Sequence, residues 1–142
     1  MSKMTTAREV MRRDVITLSP NDTAGDAIRL LLNNSISGAP VLDDDGQIVD
    51  LVSEYELLQV VYDRLLATVP VSEFMTREVI SYGPETTIIE VAGMFMAARI
   101  RRIPIVEDGK LVGLLSRRDL LRTGLQAIPD KEPALAAAGQ SV

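Results

Sequence analysis

The sequence predicts a mixed α/β (α+β) fold made of two repeated β-α-β-β-α units that pack together. Three observations predict it. First, the chain repeats: Val10 to Gln59 lies over Phe74 to Arg122, with Met11 on Met75, Val15-Ile16 on Val79-Ile80, Pro20 on Pro84, Thr23 on Thr87, Ile36 on Ile100 and Pro40 on Pro104. One extra Asp in the first copy shifts the register, after which Gly46 meets Gly109, Leu51 meets Leu114, Ser53 meets Ser116 and Leu57-Leu58 meets Leu120-Leu121. Second, both copies carry the same order of strand, helix and turn signals. Third, only Val69 to Glu73 separates them, which is too short for a flexible interdomain linker.

Each unit begins with a short extended piece, Val15 to Leu18 or Val79 to Tyr82. Ser-Pro-Asn-Asp-Thr and Gly-Pro-Glu-Thr-Thr then open a helix, with Asp22 or Thr23, and Thr86 or Thr87, as N-caps. The helices run to about Asn33 and Ala98. Ala27, Ile28, Leu30, Leu31 and Leu32 give the first a wide apolar face, and Ile88, Ile89, Val91, Ala92, Phe95 and Met96 give one to the second. Pro40 and Pro104 each stand where a strand starts. Asp43-Asp44-Asp45-Gly46 and Glu107-Asp108-Gly109 are hairpin turns between apolar runs. A closing helix follows, predicted in the first copy to continue through Val60, Val61, Leu65 and Leu66 and to stop before Pro70.

Composition narrows the function. The 142 residues are 46% hydrophobic but only 4% aromatic, so one domain-sized core must be built from Leu, Ile, Val, Met and Ala. Cys is absent, which removes disulfides and thiolate chemistry, and His is absent, which removes the commonest general base and metal ligand. The acidic turn lacks the spaced oxygen ligands of a calcium loop, so no metal site is expected. A net charge of −5 argues against generic nucleic-acid binding. No apolar stretch reaches the roughly 20 residues of a membrane span, and Met1 to Met11 lacks an apolar signal core. The expected location is therefore cytoplasmic. No nucleophile-base pair or Gly-rich phosphate loop is present, so no catalytic residue is assigned and the protein is not expected to be an enzyme.

The stretch from Arg101 to Asp119 carries the chemistry. Two arginines precede its first strand, and Ser116-x-x-Asp119 follows its second. Arginines suit a phosphate, and a carboxylate suits a sugar diol. Ser116-x-x-Asp119 is also a capping-box spacing. The matching Ser53-x-x-Glu56 has the Glu that a capping box prefers, so Glu56 is read as a cap and the shorter Asp119 as a ligand. Charge is uneven in the same sense. Three arginines against nine acids leave −6 over Val10 to Gln59, and eight cations against six acids leave +2 over Phe74 to Arg122.

An apolar-Pro-apolar strand, an Asp-Gly turn and Gly-Leu-Leu-Ser-x-x-Asp-Leu, recurring in two copies, resemble the CBS domain, and two in tandem resemble a Bateman module of the stand-alone CBS-pair type. The resemblance covers roughly Ala7 to Gly124, with repeat 1 at 7–68, repeat 2 at 69–126 and a poorly ordered tail at 127–142. It implies pseudo-twofold symmetry, helices flanking two small sheets that pack face to face, and two clefts between the repeats that bind adenosine-containing ligands.

On that resemblance, one cleft takes its polar groups from repeat 2. Asp119 would hold the ribose hydroxyls, Ser116 and its helix start would favour an anion, and Arg101 and Arg102 would meet the phosphates. Met11, Ile16 and Ile36 of repeat 1, with Ile103 nearby, would form the adenine wall. Arg117 and Arg118 add charge for a longer phosphate chain or are simply solvated. At the matching cleft the handles become Ser37-Gly38 and Glu56, which argues against a second nucleotide site.

The function implied is a regulatory sensor of an adenosine-containing ligand, AMP, ADP or ATP foremost, with no cofactor required. The alternative is a ligand-free dimerisation or protein-interaction scaffold. Leu57, Leu58, Val61, Leu65 and Met94 are candidates for a homodimer contact, with an unidentified protein target beyond it. Arg12-Arg13 is read as a solvated pair.

Overall fold

A computed structural model of the chain describes residues 4–75 and 79–128; most of the expected tail lies outside the described residues. The order is α1 (Ala7–Val10), α2 (Ala24–Asn33), β1 (Gly38–Leu42), β2 (Ile48–Ser53), α3 (Glu54–Leu57), α4 (Gln59–Tyr62), two 3-10 turns (Arg64–Thr68 and Val71–Phe74), α5 (Ile88–Ala98), β3 (Arg102–Glu107), β4 (Lys110–Ser116) and α6 (Arg117–Gln126). The predicted helix ends hold. Thr23 accepts from the Asp26 amide at 3.0 Å and Thr87 from the Glu90 amide at 3.3 Å, so each hydroxyl satisfies a free amide of the first turn.

β1 pairs antiparallel with β2, and β3 with β4. Gly46 and Gly109 sit at φ +80° and +81° in the two turns, the left-handed region where glycine carries no steric cost. The early extended pieces do not become strands of their own. Leu18 and Tyr82 each add one parallel rung, to Val41 and Ile105.

The units exchange their leading segments. Thr5 to Arg12 docks on the second unit: the Ala7 amide donates to the Thr86 carbonyl at 2.8 Å, and Arg12 and Leu114 exchange backbone bonds at 3.0 and 2.9 Å. Val69 to Phe74 docks on the first, where the Ala24 amide donates to the Val69 carbonyl at 2.8 Å and the Val71 amide to the Asp22 carbonyl at 2.7 Å. One core therefore joins Leu31, Val41, Val52 and Leu57 with Val71 and Phe74, and the other joins Val91, Phe95, Ile103, Ile105 and Leu115 with Ala7 and Met11. Neither core is a contiguous stretch of chain, so the halves cannot separate without opening both.

The first closing helix departs from expectation. It breaks after Leu57 and again at Asp63, where the backbone is extended and the carboxylate caps the next turn by accepting from Leu65 N at 3.1 Å. Val60 and Val61 lower helix propensity there, and an Asp cap starts a new turn rather than continuing the old one. α6 has no such cap inside it and runs for ten residues.

Candidate functional site

Among the described residues, two clefts lie between the units. The larger, about 720 Å³, is within the size range of small-molecule sites. Its first wall comes from the first unit: Val15 and Ile16, then Ser35 to Gly38 at the approach to β1. Its second wall comes from the second unit: Leu114, then Ser116, Arg118, Asp119 and Arg122 at the start of α6.

Asp119 is the chemical centre of this cleft. It is 6% exposed, although its side chain is charged. One oxygen, Oδ2, accepts from the Ser116 amide at 2.9 Å, while the Asp119 amide donates to Ser116 Oγ at 3.2 Å. The other oxygen, Oδ1, faces Arg122 at 3.1 Å and Arg12 at 3.5 Å. The cap and ligand readings of Asp119 thus do not compete, because different oxygens serve them. Glu56 differs. It draws both the amide and the hydroxyl of Ser53 to itself, each at 3.0 Å, so that hydroxyl is spent internally.

Arg102 reaches across to the first unit. It donates to Ser37 Oγ, and its guanidinium occupies the space a Cβ at Gly38 would fill. Burial pulls its pKa down, and so does the nearby charge of Arg101, while Glu54 and Glu56 push it back up. An Arg starting so high stays charged at any working pH.

Of the residues singled out from the sequence, Ile16, Ile36, Arg102, Ser116 and Asp119 come together in the larger cleft. Three do not. Arg101 lines the smaller cleft, of about 350 Å³, with Arg99, Ser53 and Glu56. Ile103 is fully buried in the second core, because alternate strand residues face opposite ways. Met11 is also core, its side chain packed over Gly113, because the leading segment is exchanged. Conversely, Ser37 and Gly38, assigned from the sequence to the smaller cleft, line the larger one.

Four charged cleft residues were missed: Arg12, Asp14, Glu54 and Arg122. Arg12 is 60% exposed, as a solvated arginine would be, but its Nε also faces Asp119 at 3.5 Å. No sequence signal placed it there, because the exchange of segments does. Arg122 was legible, standing three residues after Asp119 on one helix face. Together four arginines (Arg12, Arg102, Arg118 and Arg122) and three carboxylates (Asp14, Glu54 and Asp119) border the cleft. With the apolar wall, this suits a ligand having a flat apolar part, hydroxyls and an anionic end.

The CBS domain family model matches residues 7–63 and 71–125, and the chain belongs to that family. It is a tandem CBS pair. It is similar to the protein MJ1225 of Methanocaldococcus jannaschii, 30% identical over 115 residues that cover 81% of this chain and 41% of the relative. It is also similar to an inosine-5'-monophosphate dehydrogenase of the same organism, 36% identical over 135 residues, 93% of this chain and 26% of that enzyme. The chain thus spans less than half the length of these two relatives. Among solved structures it resembles CBSX2 in complex with AMP, with a TM-score of 0.77 and 30% identity over 86% of this chain and 97% of that one.

Proposed function

We propose that the chain is a sensor module that binds an adenosine-containing ligand, an adenine nucleotide foremost, in the larger cleft. One observation carries the reading: Asp119, a buried carboxylate with one oxygen turned to Arg12 and Arg122, stands across from the apolar Ile16 and Ile36 of the other unit. The similarity to CBSX2, solved with AMP, supports it. Adenine takes the apolar wall, the ribose hydroxyls donate to Asp119 in place of its arginines, and the released guanidiniums turn to phosphate. Four arginines favour phosphate-bearing ligands over a sulfonium such as S-adenosylmethionine. Such a ligand touches both units, so it stabilises the packing in which they meet and shifts any equilibrium in which they differ.

Calorimetric titration with AMP, ADP, ATP and S-adenosylmethionine tests this. Saturable nucleotide binding is expected, with Asp119→Ala weakening it by at least about ten-fold, the smallest loss for bonds to a charged group. No binding by any of the four sinks the reading and leaves the scaffold.

The scaffold component has an observation of its own. Leu58, Val61 and Leu65 are 55%, 75% and 77% exposed, and Tyr62 is 91% exposed beside them. Leu57 is core and Met94 packs on the second core, so they leave the set of contact candidates. We propose that this face pairs two copies of the chain. A monomer in sedimentation velocity at tens of micromolar, unchanged by Val61→Asp, refutes that.

A further inference from the structure

Gly38 and Arg102 occupy the same position in the two repeats, each two residues before the strand proline. In space they touch. A Cβ built on Gly38 runs into the guanidinium of Arg102 and lies 3.0 Å from the Val52 carbonyl oxygen. The matched positions therefore leave room for one long side chain, and the first repeat has none there. That one side chain borders both clefts. Glu54 stands on the larger cleft and Glu56 on the smaller, yet neither forms an ion pair with Arg102. It donates instead to the neutral Ser37 hydroxyl. A guanidinium has five N–H donors in a planar fork, so most of this fork is left for an anion. The smaller cleft also carries cations of its own, Arg99 and Arg101, so that with Arg102 three arginines line it against four in the larger.

We propose that Arg102 is a single anion handle shared by the two clefts, so that a phosphate-bearing ligand in one weakens binding in the other. This deepens the nucleotide reading and rests on it. A fork drawn toward a phosphate in the larger cleft leaves the smaller with Arg99 and Arg101 alone, and the reverse movement breaks the bond to Ser37. The antagonism needs the phosphate. Adenosine, which lacks one, leaves the fork on Ser37.

The test is a mutant cycle on the whole chain, read by calorimetry, with the amide signals of Ser53 and Ile80 reporting the smaller cleft. Asp119→Ala weakens the larger cleft and leaves Arg102 in place. Expected is AMP binding in the smaller cleft of Asp119→Ala that is roughly 5- to 150-fold tighter than the second event of the unaltered protein, the usual span of coupling between sites. Arg102→Met keeps the apolar stem and removes the charge. In that background Asp119→Ala is expected to change the smaller cleft by less than about two-fold, as for independent sites. Adenosine in place of AMP is expected to show no antagonism. A smaller cleft with the same AMP affinity whether or not Asp119 is present overturns the proposal, and so does one that stays empty in every variant. Neither result touches the nucleotide reading. Absence of AMP binding everywhere overturns both.

Discussion

At three matched positions the second hairpin buries Ile103, Ile105 and Leu115, where the first buries Ala39, Val41 and Val52, and all six are fully enclosed. The backbones match rung for rung, yet the first hairpin supplies a thinner layer of side chain. The difference is made up elsewhere. Phe74 is buried against the first core, while its counterpart Val10 is half-buried against the second, and Leu18 is buried where Tyr82 is half-buried. Val71 is likewise buried in the first core where its counterpart in the second is Ala7, whereas Phe95 runs the other way, standing where the first repeat has Leu31. Matched positions thus trade volume rather than keep their residues, since interiors close-pack whatever the source of the volume. The exchanged segments make that trade workable, because Val71 and Phe74 belong in sequence to the other repeat.

Substitution at matched positions breaks the comparison in opposite directions. Ile103→Ala is expected to cost about 2–5 kcal/mol by leaving a cavity in the second core. Ala39→Ile, which copies the second repeat into the first, is expected to cost about 1–3 kcal/mol by overpacking. Urea unfolding measures both. If Ala39→Ile stabilises the protein, the first core holds unfilled space and the compensation argument fails.

The two capping carboxylates come next in size. Both Asp119→Ala and Glu56→Ala remove a bond to an N-cap amide, and each is expected to cost about 1–2 kcal/mol of stability. Only Asp119→Ala is expected also to weaken the response of the melting temperature to AMP, because only Asp119 turns an oxygen to the arginines of the larger cleft. Equal loss of that response in Glu56→Ala would place the ligand in the smaller cleft instead.

The repeat and the helix caps were legible because they depend on local chemistry. Thr23 and Thr87 cap α2 and α5, which end at Asn33 and Ala98 as the apolar spacing predicts. Ser116, Asp119, Ile16 and Ile36 meet because the repeat itself implies a cleft between copies. Arg101 and Arg102 could not be told apart in advance: neighbours on the approach to a strand point to different sides, and only the register decides which cleft each reaches. Met11 and Arg12 depend on the exchange of leading segments, a tertiary fact with no local mark. The break at Asp63 lay within the residues read as helix, where an Asp that caps the next turn looks like a solvated helical Asp until the backbone is seen.

The smallest effect separates the two long helices. At α2 the box is closed: Asp26 accepts from the Thr23 amide at 3.2 Å and from Arg29 at 2.9 Å. At α5 only the Thr87 half is present among the described residues. The bond from Arg29, and then those from Thr23, hold the Asp26 carboxyl below its ordinary value of 3.8. A carboxyl lowered on folding favours the native state when ionised, so its contribution is whole above the unfolded-state value and is lost as pH falls through the folded-state one. The stability difference between the native protein and Asp26→Asn is therefore expected to be constant from pH 7 to about 5 and to close at lower pH. Thr23→Ala, measured beside it at pH 7, is expected to cost about 1 kcal/mol. A difference that widens on acidification would mean that Asp26 is strained rather than helped by its partners, and the closed box at α2 would then be no firmer than the open one at α5.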